Sequence, residues 1–150
     1  TYQMKHSKSH YMFWSVNIFL PLMIAFGMYM FIHQDYLFKL LEKHWPLFCQ
    51  IRAITYSNFQ PHGVIGRFIK YQLGDLLWAY SLEVAIVLGT GNLHKALRYG
   101  VFLAIEVECF QLFSFIHATF DIWDVIAQVV GVLIAFCTCQ EYYKKQTSIL

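Results

Sequence analysis

Long apolar runs broken at a few fixed places by carboxylates and amides dominate the chain. Tyr11 to Ile32 is apolar apart from Asn17, with Pro21 and Gly27 inside it. A helix crossing the hydrocarbon needs about 20 mostly apolar residues, so this run predicts a first span. Neighbouring helices satisfy backbone groups freed by a proline, so Pro21 is compatible with it. A second span is predicted over 68–88, carrying Asp75 and Glu83. A third covers 97–115, with Glu106, Glu108 and Gln111, and a fourth covers 121–142, with Asp121, Asp124, Gln128 and Gly131. Gly89-Thr90-Gly91-Asn92 reads as a tight turn between the second and third spans, and 114–119 as one between the third and fourth.

Residues 33–67 form a long connection on the side opposite the termini. Within it Tyr36, Leu37, Leu40, Leu41 and His44 recur at helical spacing, with Lys39, Glu42 and Lys43 opposed. That pattern predicts a short helix in the membrane interface, anchored by Tyr36, Phe38 and Trp45. Tyr56 through Pro61-His62-Gly63 reads as a loop. The fold class expected is therefore an all-α integral membrane bundle of four spans plus one interfacial helix, a single domain over 1–150.

Composition agrees. Of 150 residues, 58% are hydrophobic and 13% charged, with a mean hydropathy of +0.46. Soluble domains carry about a quarter charged residues, so lipid must cover the surplus apolar surface. The net charge of +2 and the lack of a basic stripe exclude nucleic acid as a partner. The first run is too long for a signal h-region and lacks a small-residue cleavage site, so it reads as a retained helix. Cys49, in the long connection, and Cys109, Cys137 and Cys139, in apolar runs, read as small hydrophobes, because C-x-C is too short for a usual zinc pair.

Charge sets the expected orientation. Lys5, Lys8, Lys95, Arg98, Lys144 and Lys145 share one side in short segments, which favours cytoplasmic termini. Asp75, Glu108, Gln111, Asp121 and Asp124 then fall in the outer half of the membrane, on three different helices. Carboxylates placed in a membrane cost about 2.5–3.5 kcal/mol on insertion scales, and they commonly mark function. Asp121, Asp124, Gln128 and Gly131 make one stripe at i, i+3, i+7 and i+10. Glu108 and Gln111 share a face, while Glu106 points about 200° away from Glu108. Glu83 lies two turns deeper than Asp75 and about 80° around the helix. Asp121 also suits a helix N-cap. His62 and His117, on outer loops, and Arg67 are candidate helpers.

These residues resemble the VanZ-like family. Glu108-Cys-Phe-Gln111, followed by Phe120-Asp121-Ile122-Trp123-Asp124-Val125 and then Gln128-Val129-Val130-Gly131, is similar to its E-x-x-Q and F-D-I-x-D-V…N-x-x-G helices. Leu73-Gly74-Asp75-Leu76-Leu77-Trp78-Ala79 is similar to a second-helix motif of small relatives. Gln128 stands where the family usually has Asn, and Ala118, beside His117, where it has Arg. The resemblance implies a bacterial plasma-membrane protein connected with resistance to a lipoglycopeptide antibiotic. It does not define a reaction.

Three functional classes stay open at this level. One is a module binding an envelope lipid headgroup, precursor or amphiphilic antibiotic through the outer carboxylates. A second is an enzyme acting on lipid-linked phosphates with a divalent cation held by carboxylate oxygens. The third is a structural subunit, with homo-oligomerisation open to so small a bundle.

Overall fold

A computed structural model describes residues 8–31, 45–58, 62–111 and 121–148. They are all-helical: α1 (Lys8–Phe31), α2 (Pro46–Asn58), α3 (Gly63–Tyr71), α4 (Leu73–Thr90), α5 (Leu93–Gln111) and α6 (Ile122–Ser148). Three segments are long and apolar enough to cross a membrane: His10–Met30, Leu73–Thr90 and Ile122–Ser148. Helix α5 reaches a similar length, but Lys95, Arg98, Glu106 and Glu108 give it more charge.

Helix α4 is the hub, packing on α1, α5, α6 and α3. Its closest partner is α6, and the reason is local. A Cβ on Gly131 would lie 2.3 Å from the Leu76 carbonyl oxygen and 3.2 Å from the Tyr80 nitrogen. Only a residue without a side chain lets the two backbones approach so closely, which is how small residues bring membrane helices together. On the other side of α4, Gly74 admits the Tyr29 ring of α1, whose Cζ would be 3.3 Å from an added Cβ.

The hairpin between α4 and α5 is tighter than the sequence suggests. Gly89 and Thr90 belong to α4, and only Gly91 and Asn92 lie between the helices. Gly91 alone adopts the left-handed conformation, at φ 62°, and its N–H donates to the Val87 carbonyl. Asn92 then caps α5, its Oδ1 accepting from the Lys95 N–H at 3.0 Å. One glycine at the αL position suffices to end the helix, so the other residues of the expected turn stay helical.

At the end of the bundle that holds this hairpin, α1 meets the last turns of α6 through aromatic side chains. Phe13 stacks on Tyr142 at 3.8 Å between centroids, and His10 Nδ1 lies 2.8 Å from the Tyr142 hydroxyl. Trp14, 3% exposed, joins Val84, Val87, Ala96, Ala135 and Cys139 in the core. The outward faces of α1 and α6 are apolar: Phe19, Leu20, Met23, Trp123, Leu133 and Ile134 are all exposed.

Other expectations need correction. The long connection expected over 33–67, beyond its interfacial helix, holds helix α2 and the start of α3, so Cys49 and Tyr56 are helical. Pro46 opens α2 at its first position, where a missing N–H costs nothing. The second span does not begin at Phe68. Phe68 to Tyr71 close α3, and α4 starts after the single turn residue Gln72, whose N–H donates to the Phe68 carbonyl. Lys70 and Gln72 beside that break suit one continuous helix as well as two, so the pattern could not reveal it. The third helix begins at Leu93, because Asn92 caps it, and the fourth continues past Tyr142 to Ser148 on polar residues compatible with helix. The interfacial segment expected from Tyr36 to Trp45 lies outside the described residues except for Trp45, which is 61% exposed. The turn 114–119 also lies outside them.

Candidate functional site

Helix direction determines which polar residues meet. Asp75 is two residues into α4, Asp124 two residues into α6, and Glu108 three residues from the end of α5. Antiparallel packing places these three ends together, opposite the Gly91 hairpin. Gln128, about one turn further into α6 than Asp124, is level with Glu108 and joins it: Gln128 Nε2 donates to Glu108 Oε1 at 2.6 Å. Both side chains are 2% exposed.

That bond satisfies half of each group. Glu108 Oε2 and Gln128 Oε1 are buried and have no hydrogen-bond partner among the described residues. Each is purely an acceptor when the carboxyl is ionised, and a buried acceptor left unsatisfied costs about 1–3 kcal/mol. Asp124 and Asp121 lie within electrostatic reach of Glu108, and Asp75 within reach of Asp124. The carboxylates predicted to share one depth therefore do come together, from α4, α5 and α6.

The members differ in local role. Asp121 caps α6: its Oδ1 accepts the Trp123 N–H at 2.9 Å, and its carbonyl accepts the Asp124 N–H at 3.1 Å. The capping role expected for it is thus present beside its place in the cluster. Asp75 accepts a hydrogen bond from the Tyr29 hydroxyl of α1. Sequence reasoning missed Tyr29. A tyrosine hydroxyl near the end of an apolar run was the available signal, since buried Tyr O–H groups find partners. The pairing of Tyr80 with Asn17 in the middle of the bundle follows the same rule, the hydroxyl donating to Asn17 Oδ1 at 2.5 Å.

Glu83 is placed apart from this group and is the most deeply sealed acid. It is 0% exposed, and neither carboxylate oxygen has a hydrogen-bond partner among the described residues. Ten residues into α4, about 15 Å along its axis, it packs over Gly100 of α5, which Val132, ten residues into α6, also approaches.

The remaining candidates do not gather at the cluster. His62 precedes α3 as its N-cap without a side-chain capping bond and is exposed, as is Arg67. Gln111 ends α5, but its side chain lies outside the described residues, as does His117 entirely. Among the described residues no group of three or more His, Cys, Asp or Glu is arranged to hold a metal ion. The four cysteines are free thiols, and only Cys139 is buried.

The arrangement is acceptor-rich and donor-poor. Its carboxylates and amide oxygen can receive hydrogen bonds and positive charge. No family model, curated protein or solved structure matches the chain.

Proposed function

We propose that the chain is a VanZ-like, multi-pass protein of the bacterial plasma membrane that binds an envelope lipid headgroup, a precursor or an amphiphilic antibiotic at its acid–amide cluster. One observation carries this reading: the buried Gln128–Glu108 hydrogen bond, which leaves an acceptor oxygen on each side chain open beside Asp124 and Asp121. Polar groups that merely join helices tend to satisfy one another, whereas these keep unused acceptors at a bundle end.

In this reading α5 is the fourth span, its charges accommodated by the neighbours it packs on. The basic residues support cytoplasmic termini. Lys95 and Arg98 in the first turns of α5, and Lys144 and Lys145 near the end of α6, are exposed at the end opposite the cluster. The cluster then faces the outer leaflet. Helix α3, which exposes Val64, Ile65 and Phe68 and carries Arg67 and Lys70, lies in the interface beside it.

The test is a susceptible bacterial host expressing the chain and challenged with a lipoglycopeptide. Tolerance should rise with the native chain and return to the host's level with Glu108→Gln or Asp124→Asn, at equal membrane abundance. Unchanged tolerance in both variants would sink the reading.

A further inference from the structure

We propose that the bundle conducts protons across the membrane, with Glu83 as the carrier at its middle. This goes beyond ligand binding at the outer cluster and stands without it. The starting point is a side chain that the fold does not use. Glu83 is 0% exposed, and neither of its oxygens has a hydrogen-bond partner among the described residues. It contributes no polar bond between helices, and an apolar side chain of similar volume would join them at lower cost. An unpaired carboxylate in so dry a place is tolerated only with its proton on. What the residue adds over leucine or glutamine is that exchangeable proton, and acids inside a span commonly belong to proton relays.

The surroundings extend the line in both directions. On the inward side of α6, Asp124, Gln128, Val132, Cys139 and Tyr143 follow at intervals of four, four, seven and four residues, which is one face of a helix. From Asp124 to Tyr143 that face measures about 28 Å, close to the hydrocarbon thickness of about 30 Å. Its middle, at Val132, carries no polar group, and Glu83 of α4 fills the gap. A methyl group on Gly100 would meet both Glu83 Oε2, at 2.1 Å, and Val132 Cγ1, at 3.1 Å. Gly100 of α5 thus makes the room that the carboxyl occupies.

Toward the outer end, Glu108 stands eight residues beyond Gly100 on α5, about 12 Å along the axis. Toward the other end, Cys139 is the titratable group that α6 brings within electrostatic reach of Glu83, and it too is 0% exposed. Tyr143 lies within reach of Cys139 and Tyr142, and its hydroxyl is buried without a partner among the described residues. The Tyr142 hydroxyl meets His10 Nδ1 at 2.8 Å at the bundle end. These intervals exceed one hydrogen bond of about 3 Å, so bridging water or a swing of the side chain completes each step. A passage makes and breaks only bonds to hydrogen. One oxygen of Glu83 takes a proton from one side, the other oxygen releases its own to the opposite side, and the acid ends neutral as it began.

The full chain in phosphatidylcholine vesicles loaded with pyranine tests this, with valinomycin and potassium holding the potential at zero while the external pH is stepped. Native vesicles should equilibrate several times faster than protein-free ones. Glu83→Gln, which keeps the shape of the side chain, should fall to the protein-free leak. Tyr143→Phe should slow equilibration about tenfold, the effect of one lost hydrogen-bonding step. Glu106→Gln should conduct at the native rate, because its carboxyl points about 200° away from Glu108 on α5 and lies off the line. Circular dichroism checks the fold of each variant, and if Glu83→Gln fails it, Tyr143→Phe decides alone. Native vesicles no faster than protein-free ones, or folded Glu83→Gln or Tyr143→Phe conducting at the native rate, would overturn the proposal.

Discussion

Glu83 and Gly100 sit face to face across the α4–α5 hairpin, so close that a methyl group on Gly100 would lie 2.1 Å from Glu83 Oε2 and 3.1 Å from Val132 Cγ1. The carboxylate is 0% exposed, so any shift it makes must be into its packed surroundings. Gly100→Ala should therefore destabilise the bundle by about 1–3 kcal/mol, the usual cost of overpacking. Glu83→Ala should relieve most of that penalty in the double variant. A double-mutant cycle of thermal stability in detergent reads the coupling, and additivity within about 0.5 kcal/mol would show that the two do not touch.

Gly131 should be less tolerant than Gly100. Its added Cβ would meet backbone, the Leu76 carbonyl oxygen at 2.3 Å, and backbone cannot change rotamer to give way. Gly131→Ala is expected to separate α4 from α6, with a larger fall in melting temperature than Gly100→Ala. Gly27→Ala is the internal control. Nothing lies within 4 Å of its added Cβ, and the gain in helix propensity, up to about 1 kcal/mol, makes it neutral or stabilising.

Much of this was legible in the sequence, for identifiable reasons. The polar stripe on α6 and the E-x-x-Q on α5 could be placed at one depth because helix rise and antiparallel hairpins fix depth without any knowledge of contacts. Their meeting at the Gln128–Glu108 bond is the consequence. The Glu83–Gly100 contact was not legible, because it depends on the rotation of α4 and α5 about their axes, and a glycine carries no periodic signal. The Gln72 break and the helix over Pro46–Asn58 were hidden for a different reason. Good helix formers, Lys70 and Gln72, stand at the first, and the second mixes polar and apolar positions as a loop does.

Asp121 has two roles that substitution can separate. Asp121→Ala removes the cap on Trp123 N–H and should cost about 0.5–2 kcal/mol of stability. Asp121→Asn keeps a capping oxygen and should hold the native melting temperature while reducing the negative potential at the cluster. Equal melting temperatures for Ala and Asn would show that the cap contributes nothing.

Tyr29→Phe removes the donor to Asp75 and leaves the ring against Gly74. Polar contacts between membrane helices average about 0.6 kcal/mol, with a maximum near 1.7 kcal/mol, so the loss of stability should fall in that range. A thermal melt of the variant checks it. A drop beyond about 3 kcal/mol would mean that Tyr29 also positions α1 on α4 through something other than this bond.

The proposed function makes Glu108, Gln128 and Asp124 a binding site and not only a seam between helices. Its most direct test is the mass of what leaves the membrane with the protein. Native chain extracted gently from a bacterial membrane and examined by native mass spectrometry should carry a bound amphiphile in defined stoichiometry, and Glu108→Gln/Asp124→Asn should emerge without it while retaining its helical content. The same bound mass in both proteins, or none in either, would contradict the account.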